Sequence, residues 1–231
     1  MRDVSPVNQF SLAYYETILR RALDAGYTFV TFRQACEGKL LKAPKKYAII
    51  RHDVDAKPGR LNGILEVEEK LGIRSSNFVL VHDNTYSALA ISVLPHLLDA
   101  ERRGFEIGLH TNFVETATLM GQEPLDFFAK ELSVLRNYFD VKGVACHRNI
   151  DYMYNSLPCL EANWPELRAR HDLLYQAYEK GILDELTFVN EGLNPHLGWR
   201  GQTPEEVIAS GNKFCLSTHP HWWHKTHAFE D

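Results

Sequence analysis

Short runs of β-branched and aromatic residues alternate with amphipathic stretches along the chain. From Ser11 to Ala25, Leu12, Tyr15, Ile18, Leu19 and Leu23 recur at helical spacing on one stripe, and Ser11 suits the capping position. The pattern predicts strands over Tyr27–Phe32, Tyr47–Arg51, Asn77–Val81, Phe105–His110, Gly143–Cys146, Leu186–Val189 and Lys213–Thr218. Between them it predicts helices over Pro58–Leu71, Ser87–Arg103, Pro124–Phe139, Trp164–Lys180 and Pro204–Ser210. Pro58 lies near a first turn, Gly72 and Gly181 lie just past helix ends, and Thr203 opens the last helix. Strand–helix alternation repeated this often predicts an α/β fold with a parallel sheet and helices outside it, either open or closed as a barrel. No linker, charge block or fixed-period repeat interrupts the pattern.

Composition narrows the function classes. The 231 residues are 45% hydrophobic and 24% charged, which excludes a disordered or collagen-like chain. With 25 basic and 30 acidic residues there is no global basic field, so nucleic acid is not an expected partner. Cys36, Cys146, Cys159 and Cys215 form no C-x-x-C pair, so neither a zinc knuckle nor a thioredoxin-type motif is present, and buried reduced thiols are expected. The first residues contain no apolar signal-peptide core, and the longest apolar stretch, Ala88 to Leu98, is too short to span a bilayer and contains Pro95 and His96. The expectation is a cytoplasmic protein without a membrane span. The 11 histidines are the unusual feature.

Polar residues recur where strands end: Asp53 and Asp55, His82 and Asp83, His110, His147 and Arg148, Asn190, His219. Loops at the carboxyl ends of parallel strands are where such folds build their sites, so an enzyme is expected. In Ala48–Asp55 the alternation of strand side chains puts Arg51, Asp53 and Asp55 on one face. Two carboxylates so close require a cation or a shared proton. The bland alternative is a solvated, helix-capping turn beside Lys57 and Arg60. Glu106, Gly108 and His110 share a face in the same way, as do Cys215, Ser217 and His219. Arg51 and Glu106 could pair inside the barrel. The indoles of Trp222 and Trp223, between His221 and His224, suit either a sugar-stacking wall or a packed corner. His221, His224 and His227 read otherwise as a solvated near-terminal run.

Taken in order, RHDVD, EIGLH, a His/Arg strand end and STHPHWW resemble the polysaccharide deacetylase superfamily, of the NodB-homology or carbohydrate esterase 4 type, from about Tyr47 to Trp223. The resemblance implies a distorted (β/α)7 TIM-like barrel in a single catalytic domain over residues 1–231, with residues 1–45 as a helix–strand extension packed on it. It implies Asp53 as general base, Asp55 and His110 as metal ligands, His219 as general acid, and Arg148 as the arginine that orients the base. Trp199, and with it Trp222 and His221, would line the substrate groove. One departure stands out. The family's second metal histidine, four residues after the first, is here Val114. A hydrolytic metal site needs about three protein ligands. His147, Asn112 and Glu115 are the candidates, and His147 is preferred because imidazole suits zinc. His147 and Arg148 cannot both point inward from a regular strand, so His147 as ligand would make Arg51 the partner of the base. The implied cofactor is a divalent ion, Zn²⁺ first. The implied reaction is removal of an N-acyl group, N-acetyl first, from a sugar or sugar conjugate, in surface polysaccharide biosynthesis. A saccharide-binding barrel without catalysis and an amidohydrolase acting on another C–N bond are the alternatives. Sequence does not set the oligomeric state.

Overall fold

The protein is described from a computed structural model covering residues 10–42, 46–147, 154–191 and 198–226. Every strand pairing in it is parallel. The strands are β1 (Thr28–Phe29), β2 (Tyr47–Val54), β3 (Ser76–Leu80), β4 (Glu106–Thr111), β5 (Gly143–Cys146), β6 (Tyr175–Gln176), β7 (Thr187–Asn190) and β8 (Phe214–Thr218). Seven run in the order β6-β5-β4-β3-β2-β8-β7, and β1 pairs with the start of β2. Phe29 faces Ala48 on the edge that β3 takes over from Arg51 onward. The helices between them are α1 (Leu12–Asp24), α2 (Phe32–Glu37), α3 (Arg60–Lys70), α4 (Leu94–Arg102), α5 (Phe113–Leu119), α6 (Pro124–Arg136), α7 (Ser156–Arg170), α8 (Lys180–Leu183) and α9 (Pro204–Ser210). The expected alternation of strands and helices is therefore present. None of these helices is long and apolar enough to cross a membrane.

The sheet curls. Arg51 in β2 donates to the Tyr178 hydroxyl, just past β6, at 2.9 Å, although three strands separate β2 from β6 in the sheet. A flat sheet could not bring those side chains together, so the strands form an open, all-parallel half-barrel. Tyr47, Ile49, Phe78, Ala145, Tyr175 and Cys215 fill its inside, and Phe32 and Ala35 of α2 join that cluster. Outside, α1 and α3 pack one flank through Ile18, Leu19 and Ile64. Phe105, Phe113, Phe128 and Trp164 belong to the larger cluster on the other flank.

A polar floor ties α2 to the strands. Glu106 accepts from Ser76 Oγ at 2.6 Å, Tyr175 Oη at 2.7 Å and the Arg33 backbone N–H at 3.1 Å. Burial pushes its carboxyl pKa up. Glu106 thus has its own partners, and the Arg51–Glu106 pair allowed by the sequence does not form. Above this floor the aromatic filling leaves no room for side chains at two glycines. A Cβ on Gly108 would lie 2.6 Å from the Phe78 ring, and one on Gly143 would lie 2.0 Å from Tyr175 Cζ.

Several boundaries differ from expectation for local reasons. The predicted strand over Tyr27–Phe32 shrinks to two residues because Thr31 and Gln34 form a capping box that starts α2. β2 runs three residues beyond Arg51, carrying His52, Asp53 and Val54 into the sheet. Residues 87–93 form turns, and α4 begins only at Leu94, with a proline in its first turn. The helix predicted over Trp164–Lys180 instead spans Ser156–Arg170, capped by Asn155. A left-handed Asp172 (φ 49°) then turns the chain into β6. The short helix α5 was not anticipated.

Replacing Gly143 by alanine is expected to cost about 1–3 kcal/mol through overpacking, because Tyr175 is buried and anchored to Glu106. Gly181→Ala, where the new methyl meets nothing within 4 Å, is the control. Denaturant unfolding should show the loss for the first variant only.

Candidate metal centre

β2 is buried along its whole length, and its alternation delivers Arg51 and Asp53 into the barrel. Asp55 follows at the carboxyl end. Three imidazoles from different strands converge on its carboxylate. His110, in β4, places Nε2 3.1 Å from Asp55 Oδ1. His147, just past β5, and His219, just past β8, each place Nε2 3.4 Å from Oδ2. These residues line a 140 Å³ cavity with Arg51, Asp53 and Tyr178, and Asn190 and Arg200 stand at the β7 side.

Each ring has a polar neighbour at its other nitrogen. His110 Nδ1 lies 2.9 Å from the Ala145 carbonyl of β5 and donates to it, so Nε2 faces Asp55. His147 Nδ1 lies 2.9 Å from Asn112 Nδ2. His219 Nδ1 lies 3.4 Å from Glu191 Oε1, which also accepts from the His219 backbone N–H. Glu191 is buried and was not singled out from the sequence. Its one available signal was an acid two residues past the predicted strand Leu186–Val189.

The electrostatics follow from these contacts. Burial works to raise the Asp55 pKa, but His110, His147 and the charge on His219 hold it well below the usual carboxylate range. Burial likewise opposes ionisation of Asp53, whose pKa Arg51 more than offsets downward through paired bonds from Nε and Nη2, both 2.7 Å. Arg51 is itself buried, with its guanidinium 4.5 Å from the Tyr178 ring. Burial lowers the His147 pKa and Asp55 reverses the sign, leaving it raised. At His219, burial also lowers, yet Glu191 and the two aspartates lift the pKa to about 9. Behind the site, Glu68 is fully buried and bonds His52 Nε2 (2.6 Å), Ser75 Oγ (2.6 Å) and Tyr15 Oη (2.5 Å). The other nitrogen of His52 reaches Thr218 at 2.7 Å, which ties the strands of Asp53 and His219 together on their outer face.

Asp55, His110 and His147 are grouped closely enough to hold a metal ion. Their ligand atoms all lie within 4.8 Å of one another. Asp55 Oδ1 and His110 Nε2 are buried and face each other at 3.1 Å without forming a well-aligned hydrogen bond, an arrangement that a cation between them would complete. Among the three candidates for third ligand, the grouping contains His147. Asn112 instead touches the back of that ring, and Glu115 lines a neighbouring cleft with His82 and Asp83.

The other predicted site residues fall elsewhere. Arg148 lies outside the described residues, as does His227, and Arg51 occupies the place beside Asp53. Trp199 packs against Phe10 (5.4 Å between ring centroids) and donates from Nε1 to Tyr14 Oη at 3.1 Å, outside the cavity lining. Trp223 and His224 are buried and His221 is half-buried, so these two histidines of the near-terminal run are not simply solvated. Trp223 sits against Tyr15 at 4.9 Å, as a packed corner rather than a sugar wall. Trp222 lies 4.3 Å from the His221 ring, and His221 lies 5.8 Å from His219 on the turn that follows it. Neither belongs to the cavity lining. No protein-family model, curated protein or solved structure matches the chain.

Burial, reinforced by the charge of His219, pushes the His221 pKa down to about 4 from 6.5. The unfolded chain therefore binds more protons at this residue between those values, and stability falls as pH drops through that window. His221→Gln is expected to lose less stability than the parent between pH 6.5 and 4, read as the difference in unfolding midpoints at the two pH values.

Proposed function

We propose that this chain is a metal-dependent carbohydrate N-deacetylase built on a distorted (β/α)7 barrel of the polysaccharide-deacetylase type. Its substrate in this reading is an N-acylated, first of all N-acetylated, sugar used in surface polysaccharide biosynthesis. The observation that carries the reading is the Asp55–His110–His147 group flanked by two oppositely tuned side chains, Asp53 and His219. Asp55, His110 and His147 would hold the ion, Zn²⁺ first. When bound, it supplies Lewis acidity toward the acyl carbonyl and lowers the pKa of water.

The chain's own groups then divide the proton transfers. Asp53, kept ionised by Arg51, accepts a proton from the attacking water as the new C–O bond forms. His219, kept protonated by Glu191, gives its proton to the amide nitrogen as the C–N bond breaks. The products are the carboxylate of the acyl group and the sugar amine. An acid is required because an unprotonated amine is a poor leaving group. The small volume of the cavity suits an acyl group and its amide, with the sugar ring at the mouth.

The test uses the full chain without a histidine tag, loaded with zinc. Acetate release from N-acetylated sugars, with none of the corresponding hydrolysis of cyclic ureides, is expected. Asp53→Asn should keep its metal and lose about 10²- to 10⁴-fold in turnover. Activity retained in Asp53→Asn, or a wild-type protein that takes up no divalent ion, would overturn the reading.

A further inference from the structure

Asn112 stands at the N-cap of α5, a position where an asparagine side chain ordinarily accepts a hydrogen bond from the second or third helical N–H. Here it makes no such bond. The second helical N–H, that of Val114, donates instead to the Ser156 hydroxyl at 3.1 Å. Ser156 is itself fully buried at the start of α7. A residue from another helix thus serves as the cap, and the Asn112 carboxamide turns to His147, with Nδ2 2.9 Å from Nδ1. Asn112 is buried, and it follows β4, the strand that carries His110.

From this geometry we infer that Asn112 is a positioning residue for a metal-ligating His147. The inference rests on the metal reading of the Asp55–His110–His147 group. A neutral imidazole that offers the lone pair of Nε2 to a cation carries its proton on Nδ1. That proton needs an acceptor; Asn112 Nδ2 faces the ring here, and a half-turn of the carboxamide, whose two ends have the same shape, presents Oδ1 to accept it when the ion is held. His110 has its counterpart in the Ala145 carbonyl, which main-chain pairing fixes. His147 lies beyond the end of β5, and its ring meets a side chain instead. Asn112 takes the place of that carbonyl, setting both the tautomer and the angle of the ring. Partners of this kind are typically worth about 10- to 100-fold in metal affinity.

The experiment measures Zn²⁺ affinity of the tag-free full chain by competition with a chromophoric chelator, with circular dichroism confirming that each variant is folded. Asn112→Ala is expected to weaken Zn²⁺ binding about 10- to 100-fold. Asn112→Asp, which keeps an acceptor at the same reach, is expected to restore binding to near the wild-type value. In the His147→Ala background, Asn112→Ala should change nothing further, because the carboxamide acts only through that ring. Wild-type affinity in Asn112→Ala would overturn the inference. So would an equal loss in both backgrounds, which would make Asn112 a ligand in its own right. A wild-type protein that binds no zinc would overturn the metal reading itself, which separates the two failures.

Discussion

One carboxylate holds the site together. Asp55 sits largely buried at the mouth of the half-barrel with imidazoles from β4, β5 and β8 arranged around it. A buried anion is costly unless it is paired, and here the pairing is distributed over three strands. That geometry is possible only because the sheet curls. The curl in turn depends on the interior filling: Phe78 and Tyr175 cross the barrel where Gly108 and Gly143 leave space, and Glu106 fastens that layer to α2. The floor and the site are therefore coupled through the same strands, since Glu106 and His110 belong to β4, and Gly143 and Ala145 to β5.

On either side of Asp55 the protein sets two groups in opposite directions. Arg51 stabilises the anionic form of Asp53, and Glu191 stabilises the cationic form of His219. Both supports are buried, so solvent screens them little. Environments that push titratable groups apart in this way mark acid and base assignments in enzymes generally. The Glu68 network behind the sheet restricts how β2 and β8 can shift relative to each other, and so how Asp53 and His219 can.

The strand-end polar residues were legible because period-two alternation and a parallel sheet force inward-facing side chains at strand ends into one place. Asp53, Asp55, His110 and His219 share that origin. His147 was legible too, as a further histidine at a strand end, and the fold groups it with Asp55 and His110. Arg51 was visible as a residue on the face of Asp53, but its bond to that side chain was only one of two pairings the pattern allowed. The roles of Trp199, Trp222 and Trp223 were not legible for a general reason. An indole is equally suited to stacking on a sugar and to filling a corner, and its neighbours in sequence do not say which.

Hydrophobic periodicity in this chain sufficed for the α/β class, the parallel sheet and the set of strand ends that carry chemistry, because these follow from local spacing alone. Folding in three dimensions decided the rest. It chose how far the sheet curls, put Glu191 behind His219, and gave the capping of α5 to Ser156 so that Asn112 could turn to His147. Each of these joins residues distant along the chain, and side-chain pairings across such separations leave no periodic trace in a single sequence.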